Sequence, residues 1–268
     1  MSWYRHLILA GAVAIGLPAC APTGSTATAG ESSHPPTPAI TVAAAADLRL
    51  AFEELGRAFE AQSGTAVTFS FGSSGQLAQQ IRNGAPFDVF ASANVELVDD
   101  VIEAGKADRS TKSTYAFGRI VVYTPVPNGP TTLDTLAAPD VERVAIPNPD
   151  HAPYGVAAEE ALRAAGVYER VAPKLVLGEN VSDTLRLATS GNADAAIVAL
   201  SLVTTRRDGS WAIVDPALHR PLEQALVVTT TDPARAEPAR RFAAFVGSPA
   251  GREVMNRYGF VLPGEETR

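Results

Sequence analysis

Four short stretches of this chain set small or polar residues between a β-like run and the start of a helical one. They are "AAAADL" (Ala43 to Leu48), "FGSSG" (Phe71 to Gly75), "NPDHAPYGVAAEEAL" (Asn148 to Leu162) and "GENVSDTL" (Gly178 to Leu185). Gly and Ser at such junctions serve ordinary turns. They also let backbone N–H groups approach a ligand where a helix begins, and the helix macrodipole favours negative charge at that end. One junction alone reads as a turn, whereas the recurrence of four favours an anion site built from neutral donors.

Other chemistries find less support. Residues 72–75, "GSSG", fall one residue short of the G-x-S-x-G nucleophile elbow, and the sequence offers these serines no obvious histidine base, which argues against a hydrolase. Of the four histidines, His6 and His34 precede the globular part, and His151 and His219 have no metal-ligand spacing. His151 adjoins the third junction and reads as a loop or surface residue. Asp88 and Asp194 each precede a β-like run, where turn or capping roles are expected. The single cysteine excludes an intramolecular disulfide framework and a zinc-binding Cys cluster.

The elements that must position the junctions begin at Ile40. Short β-type runs such as "ITVAAAA", "AVTFSF" and "DVFASA" alternate with helical ones such as "DLRLAFEELGRAFEAQSG" and "GQLAQQIRNG". In the first helical run Leu48, Phe52, Leu55 and Phe59 form one apolar stripe. Asp47 is placed to cap this helix and Gly64 to stop it. Further strands are expected at "RIVVYT", "RVAIP", "KLVLG", "AAIVAL", "WAIV" and "ALVVTT", with helices between them and after them. Such alternation implies an α/β protein with largely parallel sheets, whose ligands sit beyond the carboxyl ends of the strands.

The chain of 268 residues carries a formal charge of −7. Residues 1–20 join the basic Arg5 to an apolar run from Leu7 to Leu17, too short to span a bilayer, and end in "LPAC". This predicts a lipoprotein-type signal with lipidation at Cys20. Residues 21–38, rich in Pro, Ser, Thr, Gly and Ala, predict a flexible tether. Removal of residues 1–19 takes away only Arg5 among the charged residues, so −7 becomes −8. An acidic surface argues against nucleic acid as a partner, and a bound anion must be held against the global field.

From about Thr41 to Leu262 the chain resembles the periplasmic molybdate-binding receptors of ABC transporters. The resemblance is carried in order by "AAADL", "FGSSGQLAQQI", "GAPFDVFASA", "VAIPNPDHAPYGVAAEEAL", "NVSDTLRLATSGNADAAIV" and "NRYGFVLP". It implies a two-lobed periplasmic-binding-protein fold, each lobe a mostly parallel sheet flanked by helices, with the ligand in the interlobe cleft. Lobe 1 would contain residues 39–117 plus 228–268, and lobe 2 residues 118–227. The implied function is capture of molybdate or tungstate and delivery to an ABC permease by a lipid-anchored monomer, without enzymatic activity or cofactor.

Carried over position by position, the resemblance implies oxyanion contacts at Asp47, at Ser74 with Ser73 beside it, and at the backbone N–H groups of Tyr154 and Val181. A tyrosine common in such receptors falls on Ala199, so that hydroxyl is absent; the hydroxyl of Tyr154 is one candidate to replace it, and plain packing is the other role open to a loop tyrosine. Asp47 stands where many members have serine. Its carboxylate either caps the helix while its N–H meets the anion, or accepts a hydrogen bond from a protonated oxyanion, which would favour hydrogen phosphate.

Overall fold

The computed structural model describes residues 39–265. The expected signal segment 1–20, the tether 21–38 and Cys20 lie outside the described residues. Among the described residues no helix is long and apolar enough to cross a membrane.

The chain opens with β1 (Ile40–Ala45), a nearly continuous buried run of the kind a central strand covered on both faces requires. A short 3-10 turn over Ala46–Leu48 leads into α1 (Arg49–Ser63). There follow β2 (Val67–Gly72), α2 (Ser74–Arg82), β3 (Val89–Ser92), α3 (Val95–Glu103) and β4 (Ser113–Gly118). The chain then crosses to β5 (Ile120–Thr124), α4 (Leu133–Leu136), β6 (Val144–Pro147), α5 (Pro153–Ala164), α6 (Tyr168–Val171), β7 (Leu175–Gly178), α7 (Val181–Thr189), β8 (Ala195–Ala199) and β9 (Ser210–Ile213). It returns through β10 (Leu222–Val228) and closes with α8 (Pro233–Val246) and α9 (Pro249–Arg257).

These strands form two five-stranded sheets, in the orders β2-β1-β3-β10-β4 and β7-β6-β8-β5-β9. The two share one plan. A parallel trio is followed by an antiparallel strand and then an outer strand. The antiparallel member, β10 in one sheet and β5 in the other, is in each case the strand the chain lays down just after crossing. The return begins at Leu222, which pairs with Gly118, earlier than the position 228 expected from the sequence.

Equivalent positions do equivalent work. Asp88, just before β3, accepts from Thr41 N–H at 2.8 Å and pairs with Arg235 at 3.1 Å. Asp194, just before β8, accepts from the N–H groups of Glu142 and Arg143, both at 2.8 Å. Neither carboxylate serves the turn or cap expected from the sequence: Asp88 reaches β1 and Asp194 reaches the residues just before β6, so each ties neighbouring parallel strands together. The carboxyl-terminal "NRYGFVLP" clips onto the first crossing: Arg119 donates to the Gly259 carbonyl at 2.8 and 3.0 Å, and Phe117 and Val261 exchange backbone hydrogen bonds.

The stripe on α1 behaves as its spacing predicts, since Leu48, Phe52, Leu55 and Phe59 are all buried. Phe52 and Phe59 meet Phe242 of α8 edge-on at 6.1 and 5.4 Å between ring centres, a favoured aromatic arrangement. Gly64 ends the helix in the left-handed region at φ 69°. The expected cap is absent: the residue before α1 is Leu48, and no side chain caps either α1 or the turn before it. The Asp47 side chain has another destination.

Candidate functional site

All four junctions come together at the carboxyl ends of the two parallel trios. One small cavity is lined by Ala45 to Asp47, Gly72 to Ser74, Ala93, Ala152 to Tyr154, Asn180 and Val181. Its free space is about 10 Å³ for the centre of a water-sized sphere, the room of roughly one water molecule. Asp47, Ser73, Ser74, Tyr154 and Val181, the residues singled out in the sequence, all line it and all are buried.

The local structure leaves donors free there. Ser74 and Val181 are the first residues of α2 and α7, and Tyr154 is the second of α5. N–H groups in a first turn have no acceptor within their own helix, and these three find no backbone acceptor elsewhere among the described residues. Asn180 caps α7 by accepting from Ser182 and Asp183, which bypasses Val181. Neither α2 nor α5 has a side-chain cap, and Pro153 begins α5 without an N–H of its own.

The two serines differ. The Ser74 oxygen accepts from Ala93 N–H at 3.0 Å, and this fixes the oxygen while leaving its proton available to the cavity. The Ser73 hydroxyl donates across to the His151 carbonyl. Its oxygen also lies 2.9 Å from His151 Nδ1. With the serine proton already given to a carbonyl, Nδ1 is the donor in that second contact, the reverse of what a catalytic base requires. His151 is therefore a clasp between the sheets, a role its sequence position did not reveal.

Further clasps cross the same gap. Gly75 N–H donates to the His151 carbonyl at 3.0 Å, Ser182 Oγ to the Ala46 carbonyl at 3.0 Å and Ser201 Oγ to the Asp47 carbonyl at 2.7 Å. A Cβ on residue 75 would stand 2.6 Å from the His151 oxygen, so only glycine lets α2 approach this closely.

The Asp47 side chain enters a buried polar cluster. Its Oδ2 accepts from Tyr154 OH at 3.0 Å and from Gln224 Nε2 at 2.7 Å, while Oδ1 has no partner among the described residues. Tyr115 OH donates to Gln224 Oε1 at 3.0 Å, which fixes the orientation of that amide. Burial pushes the Asp47 carboxyl up to about 6; the hydrogen bonds from Gln224 and Tyr154 and the nearby N–H groups of Asp47 and Leu48 oppose this without cancelling it. Burial, aided by the Asp47 charge, likewise holds the Tyr154 and Tyr115 hydroxyls well above the usual phenol range. The Tyr154 hydroxyl is thus committed to Asp47 and does not stand in for the tyrosine missing at Ala199. Gln224 and Tyr115 escaped the sequence reading. The signal was present for Gln224, a polar residue in phase with buried Leu222, Leu226 and Val228.

The comparisons decide the family. Residues 40–261 match the family described as bacterial extracellular solute-binding protein. The chain belongs to that family. It is 36% identical over 222 residues to the molybdate-binding protein ModA of Rhodobacter capsulatus, covering 83% of this chain and 88% of the relative. It is 32% identical over 273 residues to ModA of Mycobacterium tuberculosis H37Rv, covering 96% and 95% respectively. Among solved structures, the Azotobacter vinelandii periplasmic molybdate-binding protein aligns with a TM-score of 0.80 and 30% identity, covering 84% of this chain and 99% of that one. Members of this family are solute-binding receptors with the periplasmic-binding-protein fold, not hydrolases.

Two measurements test the geometry. A carboxyl with a folded pKa near 6 and an ordinary value of 3.8 is protonated in both states below about pH 4, so it then costs nothing. As pH rises the folded state loses stability, until above pH 6 the full penalty of about 2 to 3 kcal/mol applies. Asp47→Asn should therefore stabilise the protein against denaturant by up to that amount at pH 8 and far less at pH 4; equal effects at both pH values would refute the buried charge. Gly75→Ala should keep the fold but loosen the clasp at a cost of about 1 to 3 kcal/mol. Its expected signature is faster amide hydrogen exchange at residues 72–76 and 148–152, and unchanged exchange there would argue that the approach of α2 does not need glycine.

Proposed function

We propose that this protein captures molybdate or tungstate between two lobes and delivers it to an ABC permease. Lobe 1 carries the first sheet, residues 39–117 with the return from Leu222 onward, and lobe 2 carries the second. The observation that carries the reading is the convergence of three uncommitted first-turn N–H groups and the Ser74 hydroxyl on one buried cavity. The names of the relatives, with identities of 36% and 32%, point to the same solute.

The mechanism is replacement of water by neutral donors. Ser74 through its N–H and hydroxyl, the N–H groups of Tyr154 and Val181, and the backbone at Asp47 surround a tetrahedral oxyanion without a cation. Ser73 closes the wall by its clasp to His151. Hydrogen bonds to charged groups contribute about 1.5 to 3 kcal/mol each, so four or five support tight binding after the costs of ordering. Donors from both lobes make the anion favour the closed form, which the permease would recognise. Four oxygens need more room than one water, so the cleft widens slightly when filled. Molybdate and tungstate have longer bonds to oxygen than sulfate has, and cavity size selects between them. Before this, the amino-terminal segment directs export, and acylation of Cys20 anchors a monomer at the membrane.

Calorimetric titration of the chain from residue 21 onward with molybdate, tungstate, sulfate and phosphate tests the reading. Molybdate and tungstate should bind far more tightly than sulfate or phosphate. Ser74→Ala should weaken molybdate binding about tenfold or more, the loss of one charge-assisted hydrogen bond, with folding preserved. Failure of all four anions to bind would overturn the receptor, and full affinity in Ser74→Ala would remove that hydroxyl from the site.

A further inference from the structure

An oxyanion site that works through neutral donors contains, in this chain, a buried carboxyl. Asp47 lines the cavity at 0% exposure, and among the described residues no lysine, arginine or histidine pairs with it. Its two oxygens are unlike. Oδ2 already receives two donors, Tyr154 OH and Gln224 Nε2, whose orientations are fixed by Tyr115 and by the contact of Gln224 Nε2 with the Tyr154 oxygen at 3.2 Å. Oδ1 is buried and unpartnered. A proton on the carboxyl therefore has one place to reside, since Oδ2 faces only donors.

Resting on the oxyanion reading above, we propose that Asp47 takes up one proton from solvent as the anion enters and donates it from Oδ1, so that the carboxyl becomes one of the donors of the site and its selectivity element. The O–H bond forms on Oδ1, and nothing else in the cluster changes its protonation. With Oδ2 saturated and Oδ1 donating, the site offers no acceptor at this corner. Anions that carry a hydrogen of their own, such as hydrogen phosphate, leave that hydrogen unpaired and are turned away, whereas fully ionised tetrahedral dianions are accepted.

The neighbourhood supports uptake by this group rather than another. Tyr154 on α5 and Tyr115 on β4 stay neutral through burial. On α1, Arg49 is half-exposed and pairs with Glu53; on α7, Asp183 and Arg186 pair with each other. β2 and the turn at Leu200–Leu202 bring no titratable side chain to the Asp47 turn. The carboxyl is already displaced toward neutrality, to about 6, before any anion arrives.

The experiment is titration of the chain from residue 21 onward with molybdate at pH 6 to 8.5, in two buffers of different ionisation enthalpy. Uptake approaching one proton per anion is expected at pH 8, with affinity falling by up to about tenfold per pH unit above the carboxyl's free value. Asp47→Asn, which keeps a donor where Oδ1 stands, should abolish both the uptake and the slope and bind about tenfold or more tighter than the parent at pH 8. Molybdate binding by the parent with no proton uptake and no slope would overturn the proposal and leave the receptor standing. Preference of the parent for phosphate would overturn it too, making Asp47 an acceptor. No binding of any oxyanion by the parent would remove the receptor reading and the proposal together.

Discussion

The structure depends on N–H groups that their own helices cannot satisfy. A helix cannot supply acceptors for its first turn, so three helices that begin at one place concentrate partial positive charge there without a single cation. The parallel trios bring this about. In each trio the strands end on the same side, and the following helices α2, α5 and α7 start where those strands stop. In a chain of net charge −7 this local field runs against the global one and favours negative charge at that point.

The same sheet plan, used twice, brings the two crossings together. Each sheet takes its antiparallel strand from the chain that has just crossed, so the two crossings lie side by side where Leu222 pairs with Gly118. A Cβ on residue 118 would stand 2.3 Å from the Tyr154 hydroxyl, so the crossing itself packs on the polar cluster of the site. Gln224, only two residues along β10 from that pairing, orients Asp47 and Tyr154 together. The two crossings and the candidate site are consequently one hydrogen-bonded unit, and the clasps through Ser73, Gly75, Ser182 and Ser201 are its outer ring.

Asp47 is the point where these demands conflict. Its burial and its clasping hydrogen bonds tie the two sheets together, yet an ionised carboxylate opposes the dianion that the rest of the site favours. Two unit charges 4 Å apart repel by about 4 kcal/mol at an effective dielectric of 20, more than one hydrogen bond returns. On the proposal above, protonation of Asp47 would remove the conflict without moving the side chain.

Local pattern determined much of this protein. The apolar stripe of α1, its stop at Gly64, the alternation of strands and helices and the four junctions were legible because each rests on residues within a few positions of one another, whereas the roles of Asp88 and Asp194 were not, since their partners lie 47 and 52 residues away. The candidate site residues came from the family resemblance, carried position by position onto those junctions, and the structure gathers them at one cavity. What the tertiary structure alone decided are pairings across great separations in the chain: Ser73 with His151, Asp47 with Tyr154, and Asp47 with Gln224, at separations of 78, 107 and 177 residues. Asp47 has the local signature of a helix cap, and short-range propensity favours that outcome. Once the second sheet brings a tyrosine hydroxyl and the return strand brings an amide, the carboxylate gains two buried donors. No local rule encodes that choice, because it depends on where the two sheets meet.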